Sequence, residues 1–349
     1  MTAENAHMVL DSRKWDARYG HDLLAAYGPT YTSYLAITSP SAWAVVEEFF
    51  PHPPRQLEFQ QGMAEEYVEP LIERLPDAEV VLGIGGGNAL DVGKYVAWKL
   101  EKPLVLIPTI VSTGAIFQAP VAIRREEIWE FCFDTVAPDY LLLDYDVIAA
   151  APPHLNRAGM GECICNLGHV ASWRWWAEQG LEGLPPVDQA AADGTLAWIH
   201  ARCRQFAAGL DELGQLNDDA IRIASEINRE RYDVPTFDMK ISRSIDHTFV
   251  IAFEWVLGRE LIHSEVVSLG SLINAHVYAW GFDETKALLD LCRVRYRPAE
   301  IGCTWDEVKT VIGRINELHD LLGNPPNWFH HRTLSDASFE RMAAAIDAA

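Results

Sequence analysis

Fifteen residues, Val80 to Lys94, constrain this chain more than any other stretch: Val-Val-Leu-Gly-Ile-Gly-Gly-Gly-Asn-Ala-Leu-Asp-Val-Gly-Lys. An apolar run (Val80, Val81, Leu82, Ile84) ends in three consecutive glycines, Gly85, Gly86 and Gly87, and a helical pattern starts at once. That order predicts a buried parallel strand, a turn without side chains, and a helix N-terminus. Glycine reaches positive φ without strain and lets a bulky anion approach the backbone. The first N–H groups of a helix lack internal partners, so these suit a phosphate or pyrophosphate. By itself the triple glycine also fits an ordinary turn in any α/β protein. The flanking chain has to decide.

Upstream, Tyr31 to Thr38 reads as a strand, and Ser39-Pro40-Ser41 supplies a helix cap with proline in the first turn. Trp43, Val46, Phe49 and Phe50 give that helix an apolar face. A short strand is expected at Leu57 to Phe59 and a helix at Met63 to Leu75. After the glycines, Asn88 to Leu100 reads as helix and Leu104 to Ile107 as strand. The alternation predicts a doubly wound, Rossmann-like parallel sheet. Pro108 to Gly114 then forms a loop at a strand's C-terminal end, where such sheets place ligands. A hairpin (Val121 to Ile123, Ile128 to Phe133) and a strand at Tyr140 to Leu143 complete this half.

Pro152-Pro153 marks the boundary, because everything after it reads as helix: Arg157 to Glu178, Pro186 to Leu210, Leu216 to Arg231, Ile241 to Leu257, His263 to Tyr278, Glu284 to Cys292, Thr304 to Leu322 and Ser335 to Ala348. The expected organisation is an α/β nucleotide-binding domain over residues 1–153 and an all-α domain over 154–349. The cleft between them is the default site. A length of 349 residues fits two cores.

A formal charge of −22, from 28 basic and 50 acidic residues, argues against a nucleic-acid backbone or an anionic membrane as partner. It leaves room for a small phosphorylated ligand, which a local nest of N–H groups can hold. Met1 to Arg18 lacks the apolar core of a secretion signal, and no run is long enough to span a membrane. Six cysteines without a CxxC pair point to reduced thiols and a cytoplasmic location.

Glu162, His247 and His263 stand out in the helical half. Glu162 follows the glycine-flanked run Ala158-Gly159-Met160-Gly161, and the two histidines lie sixteen residues apart, on helices joined at Gly258. A carboxylate and two imidazoles form a catalytic zinc-type set. With twelve histidines in the chain many such triples exist, so spacing leaves the metal open. His169, His276 and His330-His331 read as structural or surface residues, and Cys163 and Cys165 as small buried side chains.

Taken in order, Gly85-Gly86-Gly87-x-x-x-Asp91-x-x-Lys94 and Ile107-Pro108-Thr109-x-x-Ser112 resemble the iron-containing (group III) alcohol dehydrogenase and dehydroquinate synthase-like superfamily. The glycerol-1-phosphate dehydrogenase branch is similar in its Asp91-Val92-x-Lys94-Tyr95-Val96-Ala97 run, its Ala158-Gly159-x-Gly161-acid run and its histidine spacing. The resemblance covers about Tyr31 to Thr310 and implies the dehydroquinate synthase-like fold. It implies NAD or NADP held by Gly85, Gly86, Gly87, Asn88 and Asp91, with Thr109 and Ser112 lining the nucleotide and Thr38, beside Ser39, facing its ribose. It implies one divalent metal on Glu162, His247 and His263, zinc first, with iron, nickel or manganese as alternatives. Lys94 joins these three among the expected catalytic side chains, against the alternative of a solvated surface lysine. A homodimer or larger homo-oligomer is also implied.

The departures bear on substrate. The dehydrogenases carry aspartate where this chain has Glu162, a substrate-contacting aspartate at Gly114, and a second histidine at Ile251. Glutamate is the habit of the sugar-phosphate cyclases, but those carry lysine at Cys165 and an Asp-Ser-Ser and lysine cluster missing after Thr113. The expected activity is a metal-dependent NAD(P) dehydrogenase for a small polyol, hydroxyketone or polyol phosphate. A sugar-phosphate cyclase and a catalytically silent nucleotide-binding member are the alternatives.

Overall fold

A computed structural model describes residues 12–126, 128–132, 135–236 and 243–348. The chain divides into two compact units, Met1–Asn156 with Asp211–Arg229, and Arg157–Leu210 with Glu230–Ala349. A single boundary after residue 153 therefore needs correcting, because Asp211–Arg229 belongs with the first unit. Most of the helix Asp218–Glu230 lies in that segment, and its contacts explain the assignment. The Tyr19 hydroxyl donates to Glu226 Oε1 at 2.7 Å, and Arg229 donates to the Trp15 carbonyl at 2.8 Å. Those partners lie about two hundred residues upstream, where no local pattern reveals them.

The first unit holds a six-stranded parallel sheet of β1 (Ala17–Gly20), β2 (Tyr34–Thr38), β3 (Gln56–Phe59), β4 (Val80–Gly85), β5 (Leu104–Pro108) and β8 (Tyr140–Asp144). Their order is β1-β8-β5-β4-β2-β3. An antiparallel hairpin, β6 (Val121–Arg125) and β7 (Ile128–Cys132), stands apart from it. Phe133, placed in the hairpin from sequence, lies outside the described residues. Strand β1 was not expected: Ala-Arg-Tyr-Gly is short and only half-buried, and it is recruited by β8 in the register Ala17↔Leu141.

The central strands β2 and β5 are buried throughout, as a sheet covered on both faces requires. Tyr34, Ala36, Leu82, Ile84, Val105, Ile107 and Leu142 form one core with Leu24, Val46 and Phe50. The helix Gly87–Leu100 lies close against β4 because glycines face each other. A β-carbon on Gly93 would come within 2.9 Å of the Gly83 Cα. Any larger side chain there would push the helix off the strand.

The second unit is helical among its described residues. The stretch expected as one helix from Arg157 to Glu178 is three pieces, Pro153–Ala158, Gly161–Ile164 and Asn166–Glu178. The middle piece presses on the helix His263–Val277, where a β-carbon on Gly161 would sit 2.6 Å from the Ser264 carbonyl. The helix expected from Ile241 is described from Asp246 to Leu257, and residues 241 and 242 lie outside the described residues. Among the described residues, no helix is long and apolar enough to cross a membrane.

Glu265, on the His263–Val277 helix, is buried, with Oε1 lacking a hydrogen-bond partner among the described residues. Burial pushes its carboxyl up to about 7; Glu300 adds to the shift, and Arg295 and Arg157 oppose it. The folded state therefore holds this proton more tightly than the unfolded chain does. That contribution to stability is full below the unfolded value near 4.5 and is lost as pH rises through 7. Glu265→Gln is thus expected to raise stability at pH 8 by about 2–3 kcal/mol and to change little at pH 5. Urea unfolding at the two pH values measures the difference, and equal effects at both would refute the assignment.

Candidate functional site

In the first unit, the chain leaves the C-terminal ends of β2, β4 and β5, which are neighbours in the sheet, with the residues expected at a nucleotide. Gly85 ends β4 at φ +141°, a conformation L side chains rarely adopt, and Gly86 is the N-cap of the helix Gly87–Leu100. Gly86 has no side chain to cap that helix. Asn88 and Asp91 lie on its first turns. Thr109 and Ser112 are buried on the loop after β5, and the Thr109 N–H donates to the Gly85 carbonyl at 3.1 Å. Thr38 is buried at the end of β2.

Sequence reasoning missed the brace under this loop. Asn156 Oδ1 accepts from the Val111 N–H at 3.0 Å, while its Nδ2 donates to the Ile148 carbonyl. For Lys94, the surface alternative needs correcting. It is not a solvated surface lysine, since its side chain is fully buried. Nζ donates to Asp91 Oδ1 at 2.8 Å and to the Ala115 carbonyl at 2.5 Å. That ties the helix to the turn Gly114–Ile116.

In the second unit, Glu162, His247 and His263 converge from three different helices. One ligand atom from each lies within 4.8 Å of the others, the only such group of three among the described residues. His263 opens the helix His263–Val277 and His247 lies in the first turn of Asp246–Leu257. The glycine-bounded piece Gly161–Ile164 supplies Glu162. Glu162 is 2% exposed, with Oε2 3.3 Å from His247 Nε2 and Oε1 3.2 Å from His263 Nε2. Both imidazoles keep 39% of their side-chain surface open.

The charges of these groups are coupled. Burial alone would raise the Glu162 carboxyl, but His247 and His263 hold it well below the usual carboxylate range. Burial opposes the charge on His247, yet Glu162 and Asp246 outweigh it and push the imidazole up to about 10. A divalent ion there would compete with protons for these groups.

Four supporting residues, Asp246, Asn274, Ser264 and Arg231, had no recognised role in the sequence. Asp246 Oδ1 lies 2.7 Å from His247 Nδ1, and Asn274 Nδ2 donates to Asp246 Oδ2 at 3.1 Å. This carboxylate–imidazole pairing leaves Nε2 as the outward ligand atom. Its one signal was adjacency to His247. Ser264 Oγ donates to Glu162 Oε1 at 2.9 Å, and Arg231 Nη1 donates to Glu162 Oε2 at 3.3 Å. Nothing local marks Arg231, which lies 69 residues from Glu162. Cys163 and Cys165 are buried, and Cys165 Sγ donates to the Glu162 carbonyl at 3.4 Å. His276 bonds Ser338 and takes no part in the cluster.

Residues 54–152 match the family model of iron-containing alcohol dehydrogenase. A glycerol-1-phosphate dehydrogenase [NAD(P)+] of Hyperthermus butylicus is 24% identical over 322 residues, 86% of this chain and 88% of that protein. A glycerol dehydrogenase of Thermotoga maritima is 42% identical over 100 residues, 27% of this chain and 28% of that protein. The crystal structure of a probable glycerol dehydrogenase from Sinorhizobium meliloti 1021 superposes with a TM-score of 0.66, covering 96% of each chain at 22% identity, and so shares the fold. Family match over residues 54–152, long relatives and common fold together make this chain similar to the iron-containing alcohol dehydrogenases, and support its being an NAD(P)-dependent oxidoreductase.

Proposed function

We propose that this chain is a metal-dependent NAD(P) dehydrogenase acting on a small polyol, a hydroxyketone or a polyol phosphate. The observation that carries the reading is the convergence of Glu162, His247 and His263. Two imidazole nitrogens and a buried carboxylate oxygen suit a borderline divalent ion, zinc first, then iron, nickel or manganese, and leave a coordination position for substrate. Bound there, the ion would polarise the substrate oxygen while the nicotinamide exchanges hydride with the carbon.

The protein's part is to hold and orient. Asp246 fixes the His247 tautomer, and the Glu162 carboxylate stays ionised despite burial. The start of the helix Gly87–Leu100 suits a pyrophosphate, with Gly85, Gly86 and Gly87 keeping side chains out of its way. Asn88, Asp91, Thr109, Ser112 and Thr38 would line the rest of the nucleotide. The relatives' names, glycerol-1-phosphate dehydrogenase and glycerol dehydrogenase, support a polyol-type substrate. Buried Cys165 stands where a cyclase carries its lysine and weighs against that alternative. Six unpaired cysteines favour a cytoplasmic setting.

Purified protein loaded with zinc, iron, nickel or manganese is expected to form NADH or NADPH from at least one member of a panel of polyols and polyol phosphates. The rate should vanish on chelation. Absence of turnover across the panel with every metal would overturn the reading, and a cyclised product without net reduced cofactor would replace it with the cyclase.

A further inference from the structure

We infer that Arg231 is a positioning residue that braces Glu162 as a metal ligand, an inference resting on the metal-dependent reading above. Glu162 is a long, flexible acid whose two carboxylate oxygens each face one imidazole, Oε2 toward His247 and Oε1 toward His263. Such a side chain holds one geometry only if both oxygens are also gripped from elsewhere. Ser264 Oγ grips Oε1 at 2.9 Å and Arg231 Nη1 grips Oε2 at 3.3 Å. Arg231 is itself about nine-tenths buried, its side chain 10% exposed, so the guanidinium is held rather than solvated. A planar guanidinium keeps a fixed donor geometry that a lysine ammonium does not.

Arg231 exerts two opposing effects on a bound cation. Its charge repels a divalent ion, while its hydrogen bond keeps Glu162 aimed. Supporting partners of metal ligands typically contribute about 10–100-fold in affinity, so the brace is expected to win. The substitutions separate the two effects. Arg231→Met removes charge and donor, Arg231→Gln keeps a donor without charge, and Arg231→Lys keeps charge without the planar fork.

The test is chelator competition with zinc on the purified full chain, together with the visible spectrum after cobalt(II) substitution. Arg231→Met is expected to weaken zinc binding on the order of 10–100-fold and to alter the cobalt bands. Arg231→Gln is expected to recover most of both, and Arg231→Lys less. Wild-type affinity and an unchanged cobalt spectrum in Arg231→Met would overturn the inference alone. Should that variant fail to fold, Arg231→Gln and Arg231→Lys decide, and Arg231→Lys matching wild type while Arg231→Gln does not would show that a planar donor is not what holds Glu162 and overturn the brace as inferred. A wild-type protein that binds neither zinc nor cobalt would overturn the metal reading and this inference with it.

Discussion

His263→Ala is expected to abolish stoichiometric metal and to lower kcat/KM on the order of 10³-fold, about 4 kcal/mol of barrier. The magnitude follows from what remains. With two protein donors, a catalytic three-donor set becomes too weak to retain the ion, and polarisation of the substrate oxygen is lost with it. Asp246→Asn should be milder, about 10–100-fold, because it disturbs the orientation of His247 and leaves the donor in place. His276→Gln serves as the control: its ring bonds Ser338 and should leave metal content unchanged. Metal analysis by mass spectrometry and steady-state kinetics on the three variants read this directly. Full metal occupancy in His263→Ala would show that the ion is held elsewhere.

The contrast between His263 and Asp246 also shows what the sequence could reveal. His263 could be singled out as a candidate beside Glu162 and His247, but among twelve histidines its spacing leaves the metal open, and the family resemblance selected it. The strand–glycine–helix unit at Val80 to Leu100 was legible because its apolar run, its glycines and its helical period are all local. Arg231 and Asn156 act across 69 and 45 residues, and their polarity has no periodicity to betray a role. Strand β1 was missed because its stability comes from β8, not from its own residues. The three-piece run from Pro153 to Glu178 was missed although Gly159 and Gly161 are poor helix formers. Gly161 is also where the helix His263–Val277 comes closest, since a β-carbon there would sit 2.6 Å from the Ser264 carbonyl.

The ion pair of buried Lys94 with Asp91 separates two stability effects of different size. Asp91→Asn is expected to destabilise more than Lys94→Met, although the lysine is the fully buried partner. Losing the aspartate leaves an ammonium in the interior with the Ala115 carbonyl and a neutral amide, and an uncompensated buried charge costs about 3–5 kcal/mol. Losing the lysine to methionine fills the same space with an apolar chain. Asp91, 25% exposed, can then recover water, so a loss of about 2 kcal/mol is expected. Because Nζ also holds the Ala115 carbonyl, both changes should loosen the turn Gly114–Ile116 and raise KM for the nicotinamide cofactor more than they lower kcat. Urea unfolding orders the two variants, and a coupled double mutant should fall short of the sum of the singles. If Lys94→Met instead retains wild-type stability and loses kcat alone, the ammonium acts in the reaction and the structural assignment is wrong.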